Sequence, residues 1–261
     1  MKTAFMFIAL ALLSINTQAE IIGKTISYTD GETQMKGYIA YDDTVRGQRP
    51  GVLVVHEWWG HNEYARQRAR MLAEQGYVAM AVDMYGDGIQ AEHPEDAMKF
   101  SKQLMTNFPV AESRFNAALM LLKQQANVDN EKLAAAGYCF GGSTVLQLAR
   151  SGLDVDVAGV FHGSLLSRKP AQKNAVKAKL LVFNGDEDPM VKPDHIEGFK
   201  REMKSADVDY KFYSYPGAKH AFTNPAADEL GSKFGLPLAY NETADKESWA
   251  VFLNALKQAF K

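Results

Sequence analysis

Between residues 52 and 215, short apolar runs alternate with longer stretches of helical periodicity, and few architectures accommodate that alternation. Val52–Val55, Tyr77–Val82, Leu133–Tyr138, Val155–Phe161 and Leu180–Phe183 lack the in-out alternation of a half-solvated strand, so they read as strands buried on both faces. A more amphipathic run, Tyr210–Tyr215, follows. The intervening stretches at 62–75, 94–106, 110–126, 142–151 and 194–205, with a last one at 242–260, carry helix-like patterning. Parallel neighbours need long crossovers, and helices supply them, so the pattern predicts an α/β fold with a mainly parallel central sheet of about eight strands and helices on both faces. An N-terminal antiparallel pair, Ile22–Tyr28 and Thr33–Tyr41, is expected around the turn signal Asp30-Gly31.

Composition narrows the function. The chain has 261 residues, 46% hydrophobic and 23% charged, which excludes disorder and a multi-span membrane protein. With 29 Lys+Arg against 31 Asp+Glu there is no global positive field, so nucleic acid is not an expected partner. No repeat or linker divides residues 20–261, which read as one domain. Residues 1–19 read as a signal peptide: Lys2 precedes the apolar run Ala4–Leu13, and Thr17-Gln18-Ala19 supplies a small-residue cleavage site after Ala19. The run falls short of the ~20 apolar residues that span a bilayer, so a secreted or periplasmic product without stable membrane insertion is expected. Only one cysteine is present, Cys139, so no internal disulfide can form.

In parallel sheets, ligands bind beyond the carboxyl ends of the strands. The loops there hold His56-Glu57-Trp58-Trp59-Gly60, Asp83-Met84-Tyr85-Gly86, Cys139-Phe140-Gly141-Gly142, His162-Gly163, Asp186-Glu187-Asp188 and His220. Gly137-Tyr138-Cys139-Phe140-Gly141 joins a predicted strand to a predicted helix and has the form of a nucleophile elbow, G-x-S-x-G, with cysteine in place of serine. Such a turn is sharp and strained, and its glycines let strand and helix approach. A sulfur at a helix N-terminus meets unpaired N–H groups that favour thiolate. A lone cysteine is otherwise most often a buried, inert one, and it is the elbow that points to catalysis. The partners of a nucleophile at such an elbow follow in the order acid, then histidine. Asp186 and Asp188 are both placed to be the acid, and His220 is placed to be the base.

These residues resemble the dienelactone hydrolase family of the α/β-hydrolase fold. The resemblance rests on the G-x-C-x-G-G elbow, on Gly185, Asp188 and Val191, and on Gly217, His220 and Phe222, and it runs from about Val52 through the last helix. It implies a Cys139-Asp188-His220 triad and selects Asp188 over Asp186. It further implies that Glu57, beside the resting thiol, helps to activate it, and that the backbone N–H groups of Trp58 and Phe140 form the oxyanion hole. The substrate implied is a small-molecule ester or lactone, cleaved through a cysteine acyl-enzyme without cofactor. The namesake enzymes hold a substrate carboxylate with arginines, one of them four residues beyond the catalytic histidine. Here that position is Asn224, and Gly86–Phe100 contains no arginine, only Lys99. A neutral substrate is therefore expected, unless Lys219 or Arg66 reaches the pocket.

His56 and His61 raise a zinc reading, but a metalloprotease helix carries its histidines four apart, and these are five apart directly after a strand, so no metal site is expected. Trp59 and Tyr85 are candidate pocket residues together with Asn224. His93 and His162 receive no role. Two other readings remain: a thioester hydrolase or acyltransferase using the same triad, and a thiol redox or binding protein. The second gives Asp188 and His220 no reason for their positions.

Overall fold

The structure is a computed structural model and describes residues 20–261; the signal-peptide expectation lies outside the described residues. The chain opens with β1 (Ile21–Asp30) and β2 (Thr33–Asp42), and then alternates: β3 (Arg49–Val55), α1 (Glu63–Ala73), β4 (Val78–Val82), α2 (Pro94–Thr106), α3 (Phe108–Lys123), β5 (Val128–Tyr138), α4 (Phe140–Arg150), β6 (Val157–Phe161), β7 (Lys179–Gly185), α5 (Pro193–Ser205), β8 (Tyr210–Tyr215), α6 (Ala227–Phe234) and α7 (Glu242–Ala259). One eight-stranded sheet runs in the order β1-β2-β4-β3-β5-β6-β7-β8. The β1–β2 and β2–β4 pairs are antiparallel and all others parallel, the arrangement expected from the alternation.

The apolar runs face two cores at once. Leu53, Val55, Met80, Val82 and Ala135 project to one face, where Phe115 of α3, Val145 of α4 and Phe199 of α5 cover them. Val52, Val54, Ala79, Ala81, Ala134 and Ala136 project to the other, beneath Ala69 and Leu72 of α1 and Phe252 of α7. Because successive strand side chains alternate, no polar position is tolerated in such a run, and each fully buried Val, Leu or Phe stabilises the fold by roughly 1.5–3 kcal/mol. Helix starts follow local chemistry: Asn241 accepts from the Ala244 N–H at 3.0 Å as the cap of α7, and Pro94 occupies the first turn of α2.

Some boundaries differ from expectation for identifiable reasons. β5 begins at Val128, five residues earlier than the apolar run, because its first half pairs with β3 through Arg49 and Pro50 while carrying Asp129, Asn130 and Glu131. α4 begins at Phe140, not Gly142, so Gly141 and Gly142 both lie in its first turn. α6 is not predicted by the sequence pattern: it has 8 residues and an internal Gly231, packed where a Cβ would lie 2.7 Å from the Leu238 carbonyl oxygen.

Candidate active site

β5 ends at Tyr138, and the chain turns into α4 through Cys139, whose φ is 53°. A non-glycine residue in that region is strained and persists only where its surroundings over-determine it. They do so here by close backbone approach. A Cβ on Gly137 would lie 2.1 Å from the Gly141 carbonyl oxygen, and one on Gly141 would lie 2.3 Å from the Val55 carbonyl oxygen. Only glycine fits at either position, which is the physical content of the elbow motif. The Cys139 N–H donates to Phe161 O at 3.0 Å and also to His162 Nδ1 at 3.1 Å, so the turn is pinned to the end of β6.

Cys139 is partly exposed, and its Sγ lies 3.1 Å from His220 Nε2. His220 Nδ1 in turn lies 2.8 Å from Asp188 Oδ2. Asp188 follows β7 and His220 follows β8, both at the carboxyl edge of the sheet, and both side chains are buried. Asp188 Oδ1 accepts from the Met190 N–H at 2.8 Å, which fixes the carboxylate plane. Asp186 instead accepts from the Ser214 hydroxyl, pointing away from the imidazole. Burial disfavours a charged His220, but the adjoining thiolate form of Cys139 and the Asp188 carboxylate outweigh it and hold the imidazole pKa well above the usual value.

Glu57 is 2% exposed. Burial raises its carboxyl pKa to about 7, against the opposing pull of the Asn224 hydrogen bond and of His220 and Arg68. Asn224 Nδ2 donates to Glu57 Oε2 at 2.6 Å, and Asn224 Oδ1 accepts from the Ala226 N–H. Among the described residues no hydrogen bond joins Glu57 to the thiol: the carboxylate accepts from Asn224, and the sulfur meets His220. Among the same residues, neither the Trp58 nor the Phe140 backbone N–H donates a hydrogen bond, and Phe140 N–H sits at the first position of α4.

A cavity of about 250 Å³ opens at the sulfur, walled by Trp58, Phe140, Met105, Val191 and His220. Of the three residues expected in a pocket wall, none lines this one. Trp59 is 5% exposed and packs against Trp58 and Phe234, because the loop after β3 turns its ring toward α6. Tyr85 is buried behind the wall, its hydroxyl donating to Trp58 O at 2.9 Å and its ring against Phe140 and His56. Asn224 is turned toward Glu57. The cavity wall contains no Arg or Lys, and neither Lys219 nor Arg66 reaches it.

Sequence reasoning missed the layer behind the nucleophile. His162, at φ 40°, accepts the Cys139 N–H on Nδ1, so its proton is on Nε2 and is donated to Thr223 Oγ1 at 2.7 Å. Burial drives the His162 pKa well below the usual value, consistent with a neutral ring. Thr223 Oγ1 meets the Tyr64 hydroxyl at 2.6 Å, and Arg68 ties the layer together by donating to Tyr64, to Thr223 O and to Asp245 Oδ1. The one sequence signal was the position of His162 at the end of a predicted strand on the reactive edge.

A thiol, an imidazole and a carboxylate in one hydrogen-bonded line, at a helix N-terminus and facing a cavity, can carry out nucleophilic acyl transfer. The family model described as the dienelactone hydrolase family matches residues 35–260. The chain belongs to the dienelactone hydrolase family. Its fold is accordingly the α/β-hydrolase fold, and it is a hydrolase of the dienelactone hydrolase type that acts on small molecules. Two solved structures are similar along nearly their whole length. One, m3DLH, is 37% identical with a TM-score of 0.87, covering 92% of this chain and 99% of that one. The other, the dienelactone hydrolase-like promiscuous phosphotriesterase P91 from metagenomic libraries, is 34% identical with a TM-score of 0.85, covering 93% and 99%. Protein usf of Aquifex pyrophilus is 27% identical over 214 residues, 80% of this chain and 90% of its own length. No helix among the described residues of this dienelactone hydrolase family member is long and apolar enough to cross a membrane.

Proposed function

We propose that this chain hydrolyses neutral carboxylic esters or lactones through a thioester formed on Cys139. The observation that carries the reading is the line of contacts from Sγ to His220 Nε2 at 3.1 Å and from His220 Nδ1 to Asp188 Oδ2 at 2.8 Å. Cys139 thiolate attacks the carbonyl carbon, forming a C–S bond and an oxyanion toward the Trp58 and Phe140 N–H groups, each such donor typically contributing ~3 kcal/mol to the transition state. The C–O bond then breaks and His220 gives its proton to the leaving oxygen. Water attacks the thioester, His220 accepts its proton, and the C–S bond breaks to regenerate the Cys139 thiolate beside the protonated His220. Asp188 holds His220 in the tautomer that presents Nε2 to the sulfur.

The absence of Arg and Lys from the cavity wall at the sulfur favours neutral substrates. A matched pair of esters, one neutral and one bearing a carboxylate near the reacting carbonyl, tests this: kcat/KM is expected to be at least as high for the neutral one, and a strong preference for the acid contradicts it. P91 is described as a promiscuous phosphotriesterase, so a neutral phosphotriester belongs in the same panel as a second electrophile for the thiol.

Glu57 supplies the pH dependence. With its pKa near 7, it is protonated in mildly acidic solution and ionises as pH rises. If the carboxylate assists formation of the thiolate, activity climbs through pH 7, and Glu57→Gln lowers kcat/KM by about 10²-fold while flattening that limb. The stability sign is opposite. The folded pKa lies above the ordinary value of 4.5, so the folded state holds more protons than the unfolded chain between these limits, and stability is lost as pH rises from about 4.5 to about 7. Glu57→Gln removes this loss, so its Tm relative to the unsubstituted protein increases between pH 5 and pH 8. Parallel melting and rate profiles read both effects.

The N-terminal pattern supports export. In a Sec-competent bacterium the product is expected outside the cytoplasm with Glu20 as its first residue, read by N-terminal sequencing, and a full-length chain in the membrane fraction contradicts it.

A further inference from the structure

The cavity at the sulfur is small for a substrate pocket, but it is not closed. Met105, Ser143 and Ser164 line it and also line a neighbouring cavity of about 650 Å³, which continues between α3 and the segment after β6 to Phe108, Ser151 and Leu166. A volume of this size is typical of ligand sites, whereas the chamber at the thiol lies below that range. The walls also carry unusual exposure. Leu166 is 62% exposed in the larger cavity and Met190 is 45% exposed in the smaller, and both are among the few large apolar side chains left open to solvent. Met105, Phe108, Pro109 and Leu166 form an apolar strip that leads to the nucleophile, while Glu112, Arg168 and Lys169 line the same larger cavity, and it is the strip that fits an elongated apolar group better than a compact lactone.

Direction follows from proton transfer. The leaving oxygen must lie beside His220, which donates to it, so the leaving group occupies the end walled by His220, Met190 and Val191. The acyl portion extends from the other side of the carbonyl carbon. That side leads past Met105, Ser143 and Ser164 into the larger cavity, which His220 does not touch.

We infer that the larger cavity is an acyl-chain site and that the substrates are esters of medium-length or bulky apolar acids with small leaving groups. This rests on the proposed Cys139 acyl-transfer reading. Burial of a methylene is worth ~0.8 kcal/mol, a factor of about four in kcat/KM.

The test measures kcat/KM on two series, 4-nitrophenyl esters with acyl chains from acetyl to decanoyl, and phenyl acetates whose phenol carries a lengthening 4-alkyl group. The expected result is a rise of about three- to fourfold per methylene across several carbons in the acyl series, with no comparable rise in the leaving-group series. Ser151→Trp and Leu166→Asp, which block the far end and polarise the wall, should each lower the octanoate-to-acetate ratio by tenfold or more. A flat acyl series, or a gain confined to the leaving-group series, overturns the assignment even where acetate turnover upholds the hydrolase reading. Alkyl chloromethyl ketones of increasing chain length read the same preference as the rate of Cys139 alkylation without any turnover. If no ester is cleaved yet alkylation accelerates with chain length, the cavity assignment stands and the hydrolase reading fails; if alkylation is insensitive to length, the cavity assignment fails.

Discussion

Replacing Cys139 with Ala is expected to lower ester turnover by about 10⁴-fold or more, the scale on which loss of a covalent nucleophile acts when binding and oxyanion contacts survive. The loss must come without unfolding. Cys139 is partly exposed, its side-chain contact is with His220, and the turn that holds it is fixed by the Cys139 backbone N–H and by Gly137 and Gly141, all of which an alanine retains. A thermal melt near that of the unsubstituted protein, with turnover at background, is the predicted pair of readings. Serine at the same position should restore a small part of the activity, since the elbow then presents a hydroxyl to His220. Iodoacetamide gives the same answer chemically: labelling of Cys139 and loss of activity should run in proportion.

Asp188→Asn is expected to cost about 10³- to 10⁴-fold in kcat, the effect seen when the orienting carboxylate of a Ser-His-Asp triad becomes an amide. The amide can keep the contact of Oδ1 with the Met190 N–H and the packing around it. It can also still meet His220 Nδ1, but as a donor, which shifts the imidazole proton to Nε2 and removes the base from the sulfur. Asp186→Asn is the control. Its carboxylate faces Ser214 and not the imidazole, so activity should change little. Equal losses in the two variants would mean that the acid had been assigned to the wrong residue.

The parts of this molecule legible in the sequence are those in which neighbouring residues share one environment. Val52–Val55 and Val78–Val82 are buried on both faces, so every residue repeats the same signal. The positions of the proposed triad were legible for a related reason, since each follows a strand at the same edge and their order along the chain is set by the fold. Legibility fails where long-range contacts decide. The His162–Thr223 and Arg68–Asp245 contacts join residues 61 and 177 apart, and no local pattern marks Thr223 or Tyr64 as their bridge. Asn224 shows the same limit: its spacing from His220 was plain, but only the structure shows that its amide faces Glu57 and not the cavity. Trp59 was misplaced because α6, which receives it, is a short helix with an internal glycine and leaves little periodic trace.

Acyl-enzyme capture addresses the central claim most directly. The protein is mixed with 4-nitrophenyl butyrate, quenched in acid within the first turnover, and read by intact mass and by mapping of the Cys139 peptide. The account predicts a burst of about one nitrophenol per chain, one butyryl group on Cys139, and none on the Cys139→Ala protein. Steady hydrolysis with Cys139 unmodified at every quench time, continuing at full rate after complete alkylation of the thiol, would contradict it.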